Sequence, residues 1–328
     1  MVVMSPEIKA MLIAIGSADV DQSLLPQKLT PSSSGPGAGL TSFFFRSGDH
    51  RVRLEINKNS SLKVKEDHGE VVILKEEVEI VRGEIEDALQ HCPEQVYITL
   101  SERCIFDCKF CPVPKLNGKI KDEGEIVRMV EDALETGMLR AISITSGVAI
   151  SPEEEVERVV ALVRKLVKYE VPIGVSVYPT KNSSILLKDA GATEIKYNVE
   201  TMDPDIFERV CGDLSLDYIL KSLGEAVDIY GKNRVFSNFI IGLGETDEAV
   251  RDGVETLADI GVIPVLRAIS KHPLRERDVK VFRPDADRLL RLAKMTREVL
   301  DKHGLRADFA QTMCLSCTGC DITPHRDI

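Results

Sequence analysis

Cys104-Ile-Phe-Asp-Cys108-Lys-Phe-Cys111 places three thiols within eight residues, directly after the apolar, strand-like run Gln95–Leu100. Three thiolates can hold three corners of a cubane [4Fe–4S] cluster, and an iron left without a protein ligand is a place where a small molecule binds. A zinc site prefers four donors, usually as two C-x2-C pairs, which a single triplet spaced x3 and x2 fits poorly. A loop carrying Lys109, Pro112 and Lys115 is equally a poor core segment, so three buried structural cysteines are a weaker reading. A second triplet, Cys314-Leu-Ser-Cys317-Thr-Gly-Cys320, stands near the carboxyl end. It suits a second cubane on three thiolates; a metal-binding tail or a zinc site completed by His325 is the alternative. For a fourth ligand, Cys92, Cys211, Ser316, Asp321, His325, a substrate atom or none remain open.

Composition is compatible with this chemistry. Six of the eight cysteines fall in the two triplets, and without a secretory segment such usage indicates metal or redox chemistry rather than a disulfide scaffold. With 53 acidic and 42 basic residues the net charge is -11, which disfavours general nucleic-acid or anionic-membrane binding. No apolar run reaches the roughly 20 residues that span a bilayer. We expect a cytoplasmic protein that meets no membrane and no nucleic acid.

The elements that must position the thiols follow from periodicity. Residues 1–90 read as a β-rich cap or docking domain: a possible short helix, a Gly/Pro loop over Pro31–Gly39, then segments Ser42–Arg46, Arg51–Asn57, Leu62–Glu66 and Val71–Ile80 forming a small antiparallel sheet. Residues 91–303 alternate strand and helix. Strands are expected at Val96–Leu100, Ala141–Thr145, Ile173–Tyr178, Glu194–Val199, Val235–Ile241 and Val262–Ile269. Helices are expected at Glu125–Glu135, Pro152–Tyr169, Ser183–Ala190, Leu216–Tyr230, Glu248–Ile260 and Ala286–His303. The pattern is α/β, a parallel sheet covered by helices. Residues 304–328 form a carboxyl-terminal extension, with a strand-like Leu305–Ala310 leading to the second triplet.

The C-x3-C-x2-C spacing with Phe110 before its last cysteine resembles the signature of the radical S-adenosylmethionine (radical SAM) superfamily. The resemblance covers Gln95–Ile269 and implies a partial (β/α)6 TIM-like barrel with chemistry at the carboxyl ends of its strands. It implies a [4Fe–4S] cluster on Cys104, Cys108 and Cys111 that binds SAM and takes its electron from a donor such as ferredoxin or flavodoxin. Short runs narrow the likeness to the biotin synthase/lipoyl synthase branch. These are the small-residue turn Thr145-Ser146-Gly147, the run Tyr197-Asn198-Val199-Glu200-Thr201, and Gly242-Leu243-Gly244-Glu245. On that likeness Ser146 and Gly147 meet the SAM amino group, Glu200 the ribose hydroxyls, Asn198 the cofactor or substrate edge, and Gly242 lies beside the adenine. Arg267, a cation within an apolar strand, needs an anionic partner; the SAM carboxylate, a cluster-bound ligand or an acidic barrel residue would serve.

In lipoyl synthases an auxiliary cluster provides the sulfur attached to unactivated carbons of an octanoyl chain. In overall organisation the chain resembles a subunit of the archaeal-type two-protein lipoyl synthases. That implies a second [4Fe–4S] cluster on Cys314, Cys317 and Cys320, a second radical SAM subunit, and an octanoylated carrier protein or peptide as substrate. The alternatives are a radical SAM enzyme that modifies a peptide or cofactor precursor with the auxiliary cluster as anchor or relay, a methyltransferase of the superfamily, and a non-enzymatic two-cluster electron carrier.

Overall fold

The computed structural model describes residues 2–26, 29, 32, 35 and 37–328; of the expected Gly/Pro loop, Pro31, Ser33, Ser34 and Pro36 lie outside the described residues. The chain opens with α1 (Pro6–Ile15), set by Ser5, whose hydroxyl accepts the Ile8 N–H, and stopped by Gly16 at φ 75°. Six strands follow: β1 (Ser17–Val20), β2 (Ser42–Ser47), β3 (His50–Ile56), β4 (Leu62–Asp67), β5 (Glu70–Lys75) and β6 (Val78–Glu86). The expected antiparallel pairings form among β2 to β6, and with β1 the strands close into a barrel in the order β1-β3-β2-β6-β5-β4, a closure that the small antiparallel sheet expected does not include. The closing strand is β1, parallel to both β3 and β4, and nothing in its four residues signals a pairing partner. The segment expected as one strand, Val71–Ile80, is two, folded back at Glu76 and Glu77 with φ of 51° and 63°. Phe43, Phe45, Val52, Leu54, Leu62 and Ile73 alternate inward and fill this barrel.

The second layer is β7 (Gln95–Thr99), α2 (Glu123–Glu135), β8 (Ala141–Thr145), α3 (Pro152–Leu166), β9 (Ile173–Ser176), α4 (Ser183–Ala190), β10 (Glu194–Lys196), α5 (Pro204–Cys211), α6 (Leu216–Tyr230), β11 (Val235–Ile241), α7 (Asp247–Asp259), β12 (Ile263–Ala268) and α8 (Ala286–Lys302). All six strands are parallel and pair in chain order from β7 to β12. The expected partial (β/α)6 barrel is what the chain forms. Asp122, Ser151, Asp203, Ser215, Thr246 and Asp285 each cap a helix by accepting the third N–H. The β9 and β10 strands are shorter than expected because their last residues leave the sheet to enter the loops above it. Among the described residues no helix is long and apolar enough to cross a membrane.

The small barrel lies across the gap between the edge strands. Ala268 of β12 packs against its core, while Tyr97 of β7 packs with Phe44 of β2. Arg283 ties this joint, donating to the carbonyls of Ile13 and Ala14 on one side and Ile269 on the other.

The carboxyl-terminal extension departs from expectation. Leu305–Ala310 forms no strand; Ala307–Phe309 is a 3-10 turn, and the chain then plugs the bottom of the half-barrel. The Glu194 carboxylate, at the start of β10, accepts the N–H groups of Gln311 and Thr312 and the Thr312 hydroxyl. Met313 N–H reaches Gln95 Oε1 and Ser143 Oγ at 2.8 and 2.9 Å. Gly174 admits Thr312, since a Cβ there would collide with its side chain. These buried polar groups pair with each other, which makes an otherwise costly floor stable. From it α9 (Met313–Cys317) rises into the barrel.

Candidate active site

The loop after β7 is braced by the loop after β8. Gly147 N–H donates to Ser101 O, Ile105 N–H to Val148 O, and Val148 N–H to Cys104 Sγ at 3.5 Å. From above, Arg275 grips the same loop: Nε donates to Cys111 O at 2.6 Å, Nη1 to Asp278 at 2.7 Å, and Nη2 to Asp107. Burial raises the Cys104 thiol and pushes Cys111 up to about 12. A hydrogen bond with Cys211, then burial, raises Cys108. Metal binding here must therefore expel protons from three reluctant thiols, which couples affinity to pH.

Asn198 and Glu200 line the same cavity as the thiols, but from a loop rather than a strand. Glu200 has φ 62° and sits in a three-residue turn closed by Thr201 N–H to Val199 O. A non-glycine residue in this region is strained, and such strain collects at functional sites. Burial pushes the Glu200 carboxyl up to about 7, opposed by Lys196 and a hydrogen bond from Asn198. Ser146 lines the cavity, but its hydroxyl is committed to Ser101 N–H and to the buried Glu155 carboxylate. Gly147 is required by close approach, because a Cβ would strike the Arg103 carbonyl. Gly242 differs from expectation: it is absent from the cavity wall, its N–H is held by Glu245 and its face lies on Phe282 and Ile269. Ile240, two residues earlier, lines the cavity in its place.

Cys314, Cys317 and Cys320 open onto that same cavity of about 290 Å³. Arg267 turns to them and not to the first triplet, with Nη1 2.8 Å from Cys314 Sγ. Lys196 Nζ lies 3.7 Å from the same sulfur. The turn carrying the triplet is anchored by the small barrel: Arg53 N–H donates to Gly319 O at 2.7 Å, and Lys9 Nζ to Thr318 O at 2.7 Å. Lys9 is itself paired with Asp327 in the interior. α1 and the small barrel are thus a wall of the cavity, through Ile13, Phe44, Arg53 and Glu55. Among the described residues no three Cys, His, Asp or Glu side chains converge on a point that could hold a single metal ion.

Residues 98–257 match the model of the radical SAM superfamily. The chain contains a radical SAM domain. A biotin synthase of Hydrogenobaculum sp. (strain Y04AAS1) is 31% identical over 171 residues, 49% of this chain and 50% of the relative. A lipoyl synthase of Mycobacterium bovis (strain BCG / Pasteur 1173P2) is 29% identical over 201 residues, 57% of this chain and 62% of the relative. The crystal structure of methylornithine synthase superposes with a TM-score of 0.52 at 19% identity, covering 62% of each chain, and shares the fold. The chain spans about half the length of the first of these relatives.

The radical SAM domain implies a [4Fe–4S] cluster, and the donor set fits one: three thiols face the cavity, and a backbone N–H is aimed at one sulfur. The second thiol set fits a cluster for a different reason. Arg53 Nε and Nη2 are buried without a hydrogen-bond partner among the described residues, and the side chain lines the cavity that holds these thiols. A sulfide-rich anion would satisfy such donors. Sequence reasoning missed Arg53, Arg275 and Lys9. None lies in a motif, and only the fold brings them to the thiols.

Proposed function

We propose that this protein is a radical SAM enzyme that inserts sulfur into an unactivated C–H position, with an octanoyl chain as substrate. The observation that carries the reading is that both thiol sets open onto one cavity. When bound, a cluster at the first set supplies the electron that cleaves SAM to methionine and a 5′-deoxyadenosyl radical, and one at the second set supplies sulfur to the carbon from which that radical takes hydrogen. The chain's own residues do the positioning. Glu200 accepts the ribose hydroxyls, and its strained turn holds the carboxylate in place before SAM arrives. Asn198 stands beside Glu200 on the cavity wall, its Oδ1 held by the Asn238 N–H. Arg275 keeps the first thiol loop against the barrel. The small barrel closes the side of the cavity and keeps water and stray hydrogen donors from a carbon radical. Arg267 and Lys196 stabilise negative charge at Cys314.

The reading also calls for a reducing partner such as ferredoxin or flavodoxin, a second radical SAM subunit, and an octanoylated carrier protein or peptide. Anaerobic reconstitution tests it. Protein loaded with about eight irons, two cubanes' worth, should form 5′-deoxyadenosine from SAM and a strong reductant. With an octanoyl-lysine peptide and the partner subunit it should yield a thiolated product and lose sulfide. Eight irons with no 5′-deoxyadenosine would sink the enzyme claim. Turnover with every sulfide retained would sink the sulfur-donor claim.

A further inference from the structure

We propose that Cys92 is the fourth thiolate of the carboxyl-terminal set, so that a cubane on Cys314, Cys317 and Cys320 has no open iron. This rests on the reading that the second set holds a cluster. Cys92 lies in the connector between β6 and β7 and is 1% exposed. That connector is shaped: Leu89 N–H donates to Cys92 O, and Cys92 bridges to Gln95, the residue that also holds Met313 at the base of α9. Cys92 therefore shares one rigid support with the segment that carries the triplet.

Its thiol donates to Gln95 O at 3.9 Å, and Cys92 packs directly with Cys317 and Phe44 in one buried cluster. Cys92 also lines the cavity beside Cys314 and Cys320. A cysteine serving as apolar filler would meet hydrocarbon alone; this one packs with Phe44, Ala88 and Tyr97 on one side and shares a cavity wall with the three thiols and Arg53 on the other. The competing fourth ligands are occupied or face elsewhere. His325 is bonded to Asp301 at 3.0 Å and takes the Ala307 N–H. Cys211 is buried in the half-barrel core on which Cys108 of the first set packs, and is absent from the cavity wall. Asp321 accepts the Thr323 hydroxyl through Oδ1; its Oδ2 is buried without a partner among the described residues, but the residue lines a separate small void behind β12 and not the cavity that holds the thiols. Ser316 is absent from the cavity wall.

The consequence is a division of labour. The first set leaves a corner open for SAM, while the second is closed to a substrate amine or carboxylate. An anchoring role for the second cluster is thereby excluded, and the substrate's polar end must be met by side chains.

The test uses the full chain with Cys104, Cys108 and Cys111 replaced by Ala, so that only the second set can load. After anaerobic reconstitution this variant should hold about four irons, and its reduced EPR spectrum should be unmoved by added cyanide. Adding Cys92→Ala should shift the spectrum and make it cyanide-sensitive, and Cys92→Ser should shift it without that sensitivity. Loss of iron from both Cys92 variants, with the apo-protein's unfolding midpoint unchanged, also supports the ligand. Cyanide sensitivity with Cys92 present, or identical spectra in its absence, overturns the proposal. A triple-Ala chain that binds no iron removes the second cluster itself, an outcome distinct from these.

Discussion

Replacing Arg275 by Ala tests whether the first thiol loop is held from outside its own sequence. The guanidinium is 2% exposed and donates to Cys111 O, Asp278 and Asp107. The bond from a charged donor to the half-buried Cys111 carbonyl is worth about 1.5–3 kcal/mol. Asp107 and Asp278 are 43% and 26% exposed, so solvent screens those pairs, and together they add about 1 kcal/mol. The loop should lose about 3 kcal/mol of local stability, roughly a hundredfold increase in its opened population. Hydrogen exchange at the amides of residues 104–111 in reduced apo-protein reads this directly, and chelator-driven bleaching of reconstituted protein reads it a second way. Both rates should rise about a hundredfold, and Arg275→Lys should recover only part, because an ammonium cannot serve three acceptors in a fork. Exchange and bleaching within threefold of wild type would refute the clamp.

Other outcomes follow from the same geometry. Gly16→Ala places a Cβ on the Arg283 guanidinium at a residue with φ 75°, and should cost about 2 kcal/mol or more, seen as a lower denaturant midpoint. Lys9→Met takes the ammonium from the buried Asp327 carboxylate and leaves it His50 and the Thr323 N–H, which should cost about 3–5 kcal/mol; Asp327→Asn added to it should restore part of the loss. Glu200 has a raised folded-state pKa of about 7. Its contribution to apo-protein stability is therefore full below about pH 4.5 and lost as pH rises through 7, about 3 kcal/mol in all. Glu200→Gln should remove that slope, measured as unfolding free energy against pH, and should weaken SAM binding at least tenfold.

The half-barrel was legible because helix and strand periods are local. Ser183–Ala190 and Val235–Ile241 fall where the pattern puts them. The β5–β6 hairpin was not, because two glutamates fill turn positions that usually announce themselves with Asn or Gly. The closure of the small barrel by β1 is likewise silent, since pairing between distant strands leaves no periodic trace. Leu305–Ala310 has strand-like composition, but Asn233 and Glu194 capture the backbone of Arg306, Gln311 and Thr312 and turn it under the barrel. The thiols were found from spacing alone. Gly242 was placed by its motif and not by contact, and its neighbours Phe282 and Ile269 come from residues 27 or more positions away.

The pairing of Lys9 with Asp327 also sets an order of events during synthesis. The first thiol set and its clamp are complete once residue 278 has emerged, whereas the second depends on a floor built at residues 311–313 and on a latch made by residue 327. Iron delivered during translation would thus meet a finished first nest and an unfinished second one. On the proposed reading, the two thiol sets of one cavity fill in sequence, the first before the second.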